Sequence, residues 1–292
     1  FAFDASTGVW TYSIDNSRAA TQALTAGQVV TDSLTVSSID GTASRTIVVT
    51  ITGTNDTASI SGTATGALTE DDATTTTGGT LTVADADSGE RQFADPESFA
   101  STYGNFTFNP ATGVWTYTID NNSAPTKALF AGQVAHDRLT VVSRDGTATA
   151  NIEVTITGSN DAAVITAVTS PLTEDSGVDS DGNLVTSGVF GISDDDAGQS
   201  LFSTTVTVPA GRTNIGTLTL DDDGYYVYSV ANASDAIQRL RAGEVHEDVF
   251  RITSVDGTTK DVSFFINGAA DSISGIVADG YIAGAIVFAD VD

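Results

Sequence analysis

The sequence predicts an all-β chain of tandem immunoglobulin-like (cadherin-like) β-sandwich domains arranged end to end. Three observations predict it. A set of motifs recurs with a period of about 105 to 111 residues. Apolar and polar residues alternate strictly over most of the chain. Turn signatures separate the alternating runs at short intervals, as a sandwich of six or seven strands per module requires. An all-β barrel is the alternative, and it favours end-to-end stacking less.

The recurrence is specific. Gly8-Val9-Trp10-Thr11-Tyr12 returns as Gly113-Val114-Trp115-Thr116-Tyr117 and, more loosely, as Gly224-Tyr225-Tyr226-Val227-Tyr228. Ala26-Gly27-Gln28 returns as Ala131-Gly132-Gln133 and Ala242-Gly243-Glu244. Asp40-Gly41-Thr42 returns as Asp145-Gly146-Thr147 and Asp256-Gly257-Thr258. A module copied in series is a device for length, valency or stiffness more readily than for chemistry in one pocket.

The elements of one module follow in order. Leu81 and Val83 alternate with Thr, as do Trp115, Tyr117 and Ile119, then Leu139 and Val141, then Ile152, Val154 and Ile156. Period 2 with Thr and Val enrichment predicts half-buried antiparallel strands. Asn109-Pro110-Ala111-Thr112-Gly113 predicts one hairpin turn and Asp145-Gly146 a second. The segment 124–133, with Leu129 inward and Gly132 at its end, is the one helical signature, a single turn crossing between sheets. Trp10, Trp115 and Tyr226 sit among alternating apolar neighbours, which assigns them to cores rather than to sugar stacking.

Phe1 and Phe3 match Phe106 and Phe108, so residues 1–55 are expected to be the C-terminal part of a first sandwich within a longer protein. Residues 56–160 form the second repeat, 161–271 a divergent third, and 272–292 the start of a following module. No apolar run approaches the roughly 18 residues of a membrane span.

Charge bounds the function. Eleven basic residues against 38 acidic ones give a net charge of −27. Nucleic acid is excluded as a partner, because phosphates need a basic face. Two carboxylates about 4 Å apart repel by roughly 4 kcal/mol at an effective dielectric of about 20. Acids that recur in register therefore call for a divalent cation, beyond the general solubilising effect of scattered ones. Cysteine is absent, so an extracellular chain of this kind takes its stability from core and metal rather than disulfides.

The recurring acids lie at the module joints, where no Gly/Ser or Pro spacer intervenes. The linkers supply Asn55-Asp56, Asn160-Asp161 and Asp271. The loop after the second strand supplies Asp85 and Asp87, repeated as Asp194 and Asp196; in a sandwich it lies at the end where the linker arrives. The segment after the first strand supplies Glu70-Asp71, repeated as Glu174-Asp175, at the opposite end. Asp290 and Asp292 resemble the Asp-x-Asp of a further module. A Glu-Asp from one module, a linker Asn-Asp and an Asp-x-Asp from the next offer hard oxygens in a number that suits calcium's six to eight positions. Zinc would want His or Cys.

No enzyme is expected. His136 and His246 are out of register and lack Cys or repeated Ser partners. Paired carboxylates copied at every joint argue against a glycosidase dyad. Lys127 and Lys260 do not match in position, which disfavours isopeptide crosslinks.

Gly-Val-Trp-Thr-Tyr-x-Ile-Asp-Asn (113–121), Ala-Gly-Gln-Val (131–134), Leu-Thr-Val (139–141), Asp-Gly-Thr-Ala (145–148) and Val-Thr-Ile-Thr-Gly-Ser-Asn-Asp-Ala (154–162) resemble the VCBS repeats of large RTX-type bacterial adhesins and biofilm proteins. The third module departs, with Tyr226 in place of Trp and Asn267-Gly268-Ala269-Ala270-Asp271 at its lower joint. The resemblance implies secretion by the type I route from Gram-negative bacteria, a cell-surface location, and folding outside the cell in calcium. It implies extender repeats whose partners are their own neighbours in the chain, holding a binding region away from the cell. The alternative is that the repeats themselves grip a glycan or another adhesin copy, with Phe93, Phe99 and Tyr103 as exposed aromatics. An enzyme whose catalytic domain lies outside these residues is a third and more distant possibility.

Overall fold

A computed structural model describes residues 1–270, and the chain divides into two compact units, the first Phe1–Asn160 and the second beginning at Asp161. The first is all-β apart from two single helical turns, and the described residues of the second form strands and loops. In the first unit, residues 1–55 carry β1 (Ala2–Phe3), β2 (Trp10–Thr11), α1 (Ala19–Gln22), β3 (Val29–Ser37) and β4 (Ser44–Thr52). The following module carries β5 (Ser59–Gly62), β6 (Thr65–Thr69), β7 (Thr76–Ala84), β8 (Gly104–Phe108), β9 (Val114–Ile119), α2 (Ala124–Lys127), β10 (Val134–Val142) and β11 (Thr149–Thr157).

These strands make an immunoglobulin-like sandwich. One sheet has the order β5-β7-β9-β8, the other β10-β11-β6. Alternation decides which face is inward: β9 buries Trp115, Tyr117 and Ile119 and exposes the residues between. Against them pack Leu68, Leu139, Val141, Ile152, Val154 and Ile156. The first strand changes sheets midway. β5 pairs antiparallel with β7, and β6 pairs parallel with β11. The change occurs at Gly62, whose φ of 119° is open to glycine. Trp115 holds the crossover by donating its indole N–H to the Thr63 carbonyl at 2.7 Å.

The helical signature over 124–133 yields one turn, Ala124–Lys127, followed by an irregular segment with turns at 128 and 131–132. Ser123 caps it, accepting from the Thr126 N–H. Leu129 is buried, as its spacing required.

The second unit carries β12 (Val164–Thr166), β13 (Leu172–Thr173), β14 (Asn183–Val189), β15 (Gly191–Ser193), β16 (Thr217–Leu220), β17 (Tyr225–Ala231), β18 (Val245–Thr253) and β19 (Thr259–Asn267). Sheets β14-β17-β16 and β13-β19-β18 enclose its core, and β12 pairs with β15. Where the other module has Trp115, Tyr226 stacks on Phe190 at 4.2 Å, and Tyr228 stacks on Phe264 at 4.3 Å.

Trp10 differs from its counterparts: it is 44% exposed, against 1% for Trp115 and 3% for Tyr226. Residues 1–55 contain counterparts of β8 to β11 but none of β5, β6 and β7, the strands that cover Trp115. The same tyrosine position makes a polar tie to an Asp in every module, buried at Tyr117 and Tyr228 and exposed at Tyr12. Tyr12 donates to Asp32 at 2.5 Å, Tyr117 to Asp137 at 2.6 Å and Tyr228 to Asp248 at 2.8 Å.

Candidate metal centre

The linker Asn55-Asp56 arrives beside two loops of its own unit. The loop after β7 opens with Asp85, whose Oδ1 accepts the Asp87 N–H at 2.8 Å in a local turn. Asp87 in turn accepts the Asp56 N–H at 2.8 Å. The hairpin tip between β10 and β11 supplies Asp145, which accepts the Asn55 Nδ2 at 3.0 Å. The linker is thus pinned by carboxylates from positions 31 and 90 residues further along the chain.

Asp85, Glu90 and Asp145 each present an oxygen within 4.8 Å of the others. Oxygens bound to one calcium at about 2.4 Å lie no more than about 4.8 Å apart, so the spacing fits a shared ion. Asp85 and Asp87 are buried, and one oxygen of each (Oδ2 and Oδ1) meets no hydrogen-bond donor, as does Glu90 Oε2. Arg91 donates its Nε to the Asp85 main-chain oxygen rather than to a carboxylate, and the Arg144 charge offsets the crowding at Glu90 only in part. A buried carboxylate without a counter-charge costs several kcal/mol.

The protonation tendencies follow from this crowding. Burial raises the Glu90 pKa, and the charges of Asp87, Asp85 and Asp145 raise it further. Burial pulls Asp145 the same way, but hydrogen bonds from Ser143, Thr147 and Asn55 outweigh it and hold that carboxyl well below the usual range.

The second unit repeats the arrangement at its own start. Asp196 accepts the Asp161 N–H at 3.0 Å, and Asp194 accepts the Asp196 N–H at 2.9 Å. Asp256, on the β18–β19 hairpin tip, accepts the Ala163 N–H at 3.2 Å. Asp194 Oδ2 and Asp196 Oδ1 are buried without donors. Burial raises the Asp196 pKa, and the charges of Asp194, Asp161 and Asp256 add to the shift. Gln199 stands where Glu90 stands, and its amide reaches Asp196 at 3.4 Å.

No family model and no curated protein matches the chain. Among solved structures, four extracellular domains of a protocadherin, PcdhgB3 EC1-4, are 13% identical with a TM-score of 0.44, over 83% of this chain and 67% of that one. Extracellular cadherin domains 1-4 of protocadherin gamma B7 are 16% identical with a TM-score of 0.41, over 81% of this chain and 57% of that one. An I-band fragment of titin is 9% identical with a TM-score of 0.39, over 84% of this chain and 76% of that one.

The remaining predicted residues fall in different places. Glu70 is buried beside the outgoing linker of its module, accepting the Ser159 N–H at 3.2 Å. Glu174 holds the same place in the second unit, accepting the Ala269 N–H at 3.2 Å, and its Oε1 is buried without a donor. Asp71 and Asp175 do not join them. Both are exposed and left-handed, with φ of 56° and 58°, and Asp175 is taken by Asn232 at 2.7 Å. Asn160 is exposed. Asp271, Asp290 and Asp292 lie outside the described residues.

Sequence reasoning missed three members of these clusters. Asp145 and Asp256 were assigned only to hairpin turns, although their recurrence in register was a signal. Glu90 carried none, because its counterpart is Gln199. Of the aromatics offered as a sugar platform, Phe93 is buried and Tyr103 packs against the core, which leaves only Phe99 exposed.

Proposed function

We propose that the chain is a run of structural extender repeats from a bacterial surface adhesin, stiffened by calcium where one module hands over to the next. The observation that carries this is the cluster of buried and half-buried carboxylates around the Asn55-Asp56 linker, with unmatched oxygens on Asp85, Asp87 and Glu90. Its recurrence with Asp194, Asp196 and Asp256 around Asp161 supports a role in the joint rather than in one domain.

Asp85, Asp87, Glu90 and Asp145 would hold the ion in the first unit; Asp194, Asp196 and Asp256 would do so in the second. Calcium supplies the positive charge that such carboxylates lack, and it couples linker position to module folding. The chain's residues do the rest: Asp87 and Asp145 grip the linker through Asp56 and Asn55, so neutralising their charge fixes the linker's direction. Extracellular modules bind calcium at about 10⁻⁴ to 10⁻³ M, so the joints are loaded outside a cell and empty inside it. This suits the type I secretion, Gram-negative surface location and biofilm role that the VCBS resemblance implies. Partners on this reading are the neighbouring repeats, with no catalytic activity.

The test is small-angle scattering and thermal unfolding with calcium and with chelator. Calcium should lengthen the maximum dimension and raise the melting temperature; no change in either overturns the proposal.

A further inference from the structure

The outer edge of β10 differs from that of its counterpart β18 in backbone pairing. In the second unit Thr207 pairs antiparallel with Arg251. The Thr207 N–H donates to the Arg251 carbonyl at 3.1 Å, and the Arg251 N–H to the Thr207 carbonyl at 2.7 Å. Asn214 closes the next position: its Nδ2 donates to the Val249 carbonyl at 2.8 Å, and its Oδ1 accepts the Val249 N–H at 3.0 Å. The unit's own chain therefore meets every outward polar group of Val249 and Arg251.

β10 and β11 keep the same register. Thr140 lies opposite Asn151 as Arg251 lies opposite Asp261, and Arg138 opposite Glu153 as Val249 opposite Ser263. At such positions of an antiparallel ladder both N–H and C=O turn away from the partner strand. Among the described residues no backbone group pairs with Arg138 or Thr140 on that side. The covering loop touches the edge where the Ala94 N–H donates to the Val142 carbonyl at 2.9 Å, then leaves it. It returns at Thr102 and Tyr103, whose N–H groups donate to Asp137. Ser101 precedes those amides as Asn214 precedes the ones bound to Asp248, but its hydroxyl turns to the Gly104 carbonyl. Loop and strand leave between them a groove of about 530 Å³, within the roughly 300–1,000 Å³ of ligand clefts.

We propose that this groove takes an extended, uncharged Thr/Val-rich peptide strand, paired antiparallel with the edge at Arg138 and Thr140. The second unit shows the chemistry that fits: the segment seated at its equivalent edge is Ser203-Thr204-Thr205-Val206-Thr207-Val208. Short β-branched side chains suit a pleated surface walled by Ala94, Pro96, Thr140 and Val142. The groove's arginines are already engaged, Arg138 with Glu153 at 2.6 Å and Arg144 with Gln92 at 3.0 Å. Asp95, Glu97 and Asp145 also line the groove, which disfavours an acidic peptide, and the outward main-chain groups of Arg138 and Thr140 offer the hydrogen bonds of strand addition. The inference does not rest on calcium at the joints.

Amide hydrogen exchange on the labelled chain, with and without the end-blocked peptide Ser-Thr-Thr-Val-Thr-Val at millimolar concentration, tests it. Exchange at Arg138 and Thr140 should slow at least about tenfold, while Val249 and Arg251 stay unchanged. Thr140→Pro removes one outward donor at an edge that tolerates proline and should weaken binding about tenfold; Thr140→Val should bind as before. If Thr140→Pro unfolds, a peptide with Pro at its fifth position deletes the pairing from the other side and should lose the protection. Unchanged exchange at Arg138 and Thr140, or equal protection by the Pro peptide, overturns the proposal. Protection that grows with protein concentration alone would give the edge to a second copy and overturn it as well.

Discussion

The two acidic clusters share a backbone plan and differ in the side chains of the loop, most directly at Glu90 and its counterpart Gln199. Both have a linker N–H held by the second Asp of an Asp-x-Asp loop and an Asp from a hairpin tip alongside. The first unit adds Glu90, a carboxylate within reach of Asp85 and Asp145. The second has Gln199, whose amide donates to Asp196 and relieves it in part. The pinning of the linker is thus common to both, while the charge to be neutralised is tuned by a loop residue outside the repeated motif.

Removing the cation should have the largest effect. A site filled at about 100 times its dissociation constant stabilises by about 2.7 kcal/mol. Chelator should therefore lower the melting temperature of the first unit by about 5 to 10 °C in calorimetry, and that of the second by less. Equal shifts would mean that the Glu90/Gln199 difference is irrelevant.

Tyr117→Phe comes next. It leaves buried Asp137 with only the Thr102 and Tyr103 amides and should cost about 2 kcal/mol in denaturant unfolding. Tyr228→Phe should cost less, because His246 also reaches Asp248 at 2.9 Å. Exchanging Glu90 and Gln199 should then reduce the contrast. Glu90→Gln should weaken calcium binding by the first unit about tenfold in titration calorimetry, and Gln199→Glu should strengthen the second by a similar factor.

The smallest effect is alkaline. Burial first, then the hydrogen bond to Asp137 or Asp248, raises the phenol pKa of Tyr117 and Tyr228 above its usual 10.0. A group raised in the folded state contributes stability that is complete below about pH 10 and declines as pH rises beyond it. Unfolding between about pH 9 and 11 should show that decline, and the two Phe variants should flatten it.

Strand faces were legible because alternation states them directly: Trp115, Tyr117 and Ile119 are inward for the reason their spacing gave. The linker acids Asp56 and Asp161, with Asp87 and Asp196, were legible through repetition. Asp145 was not, because its reach back to Asn55 depends on where a hairpin tip lands in space, 90 residues away in sequence. Glu90 was invisible to any search for repeats, since the feature that matters is its failure to repeat. The Tyr–Asp ties could have been found: the separation is 20 residues in all three modules. Trp10 shows the opposite limit, a residue whose motif says core while its surroundings in this chain leave it half open.

The parallel pairing of β6 with β11 has a mechanical consequence. A pull between the two linkers of this module would draw those strands lengthwise past each other. All five paired positions, Thr65 to Thr69 against Glu153 to Thr157, would then share the load at once instead of opening one by one like a zip.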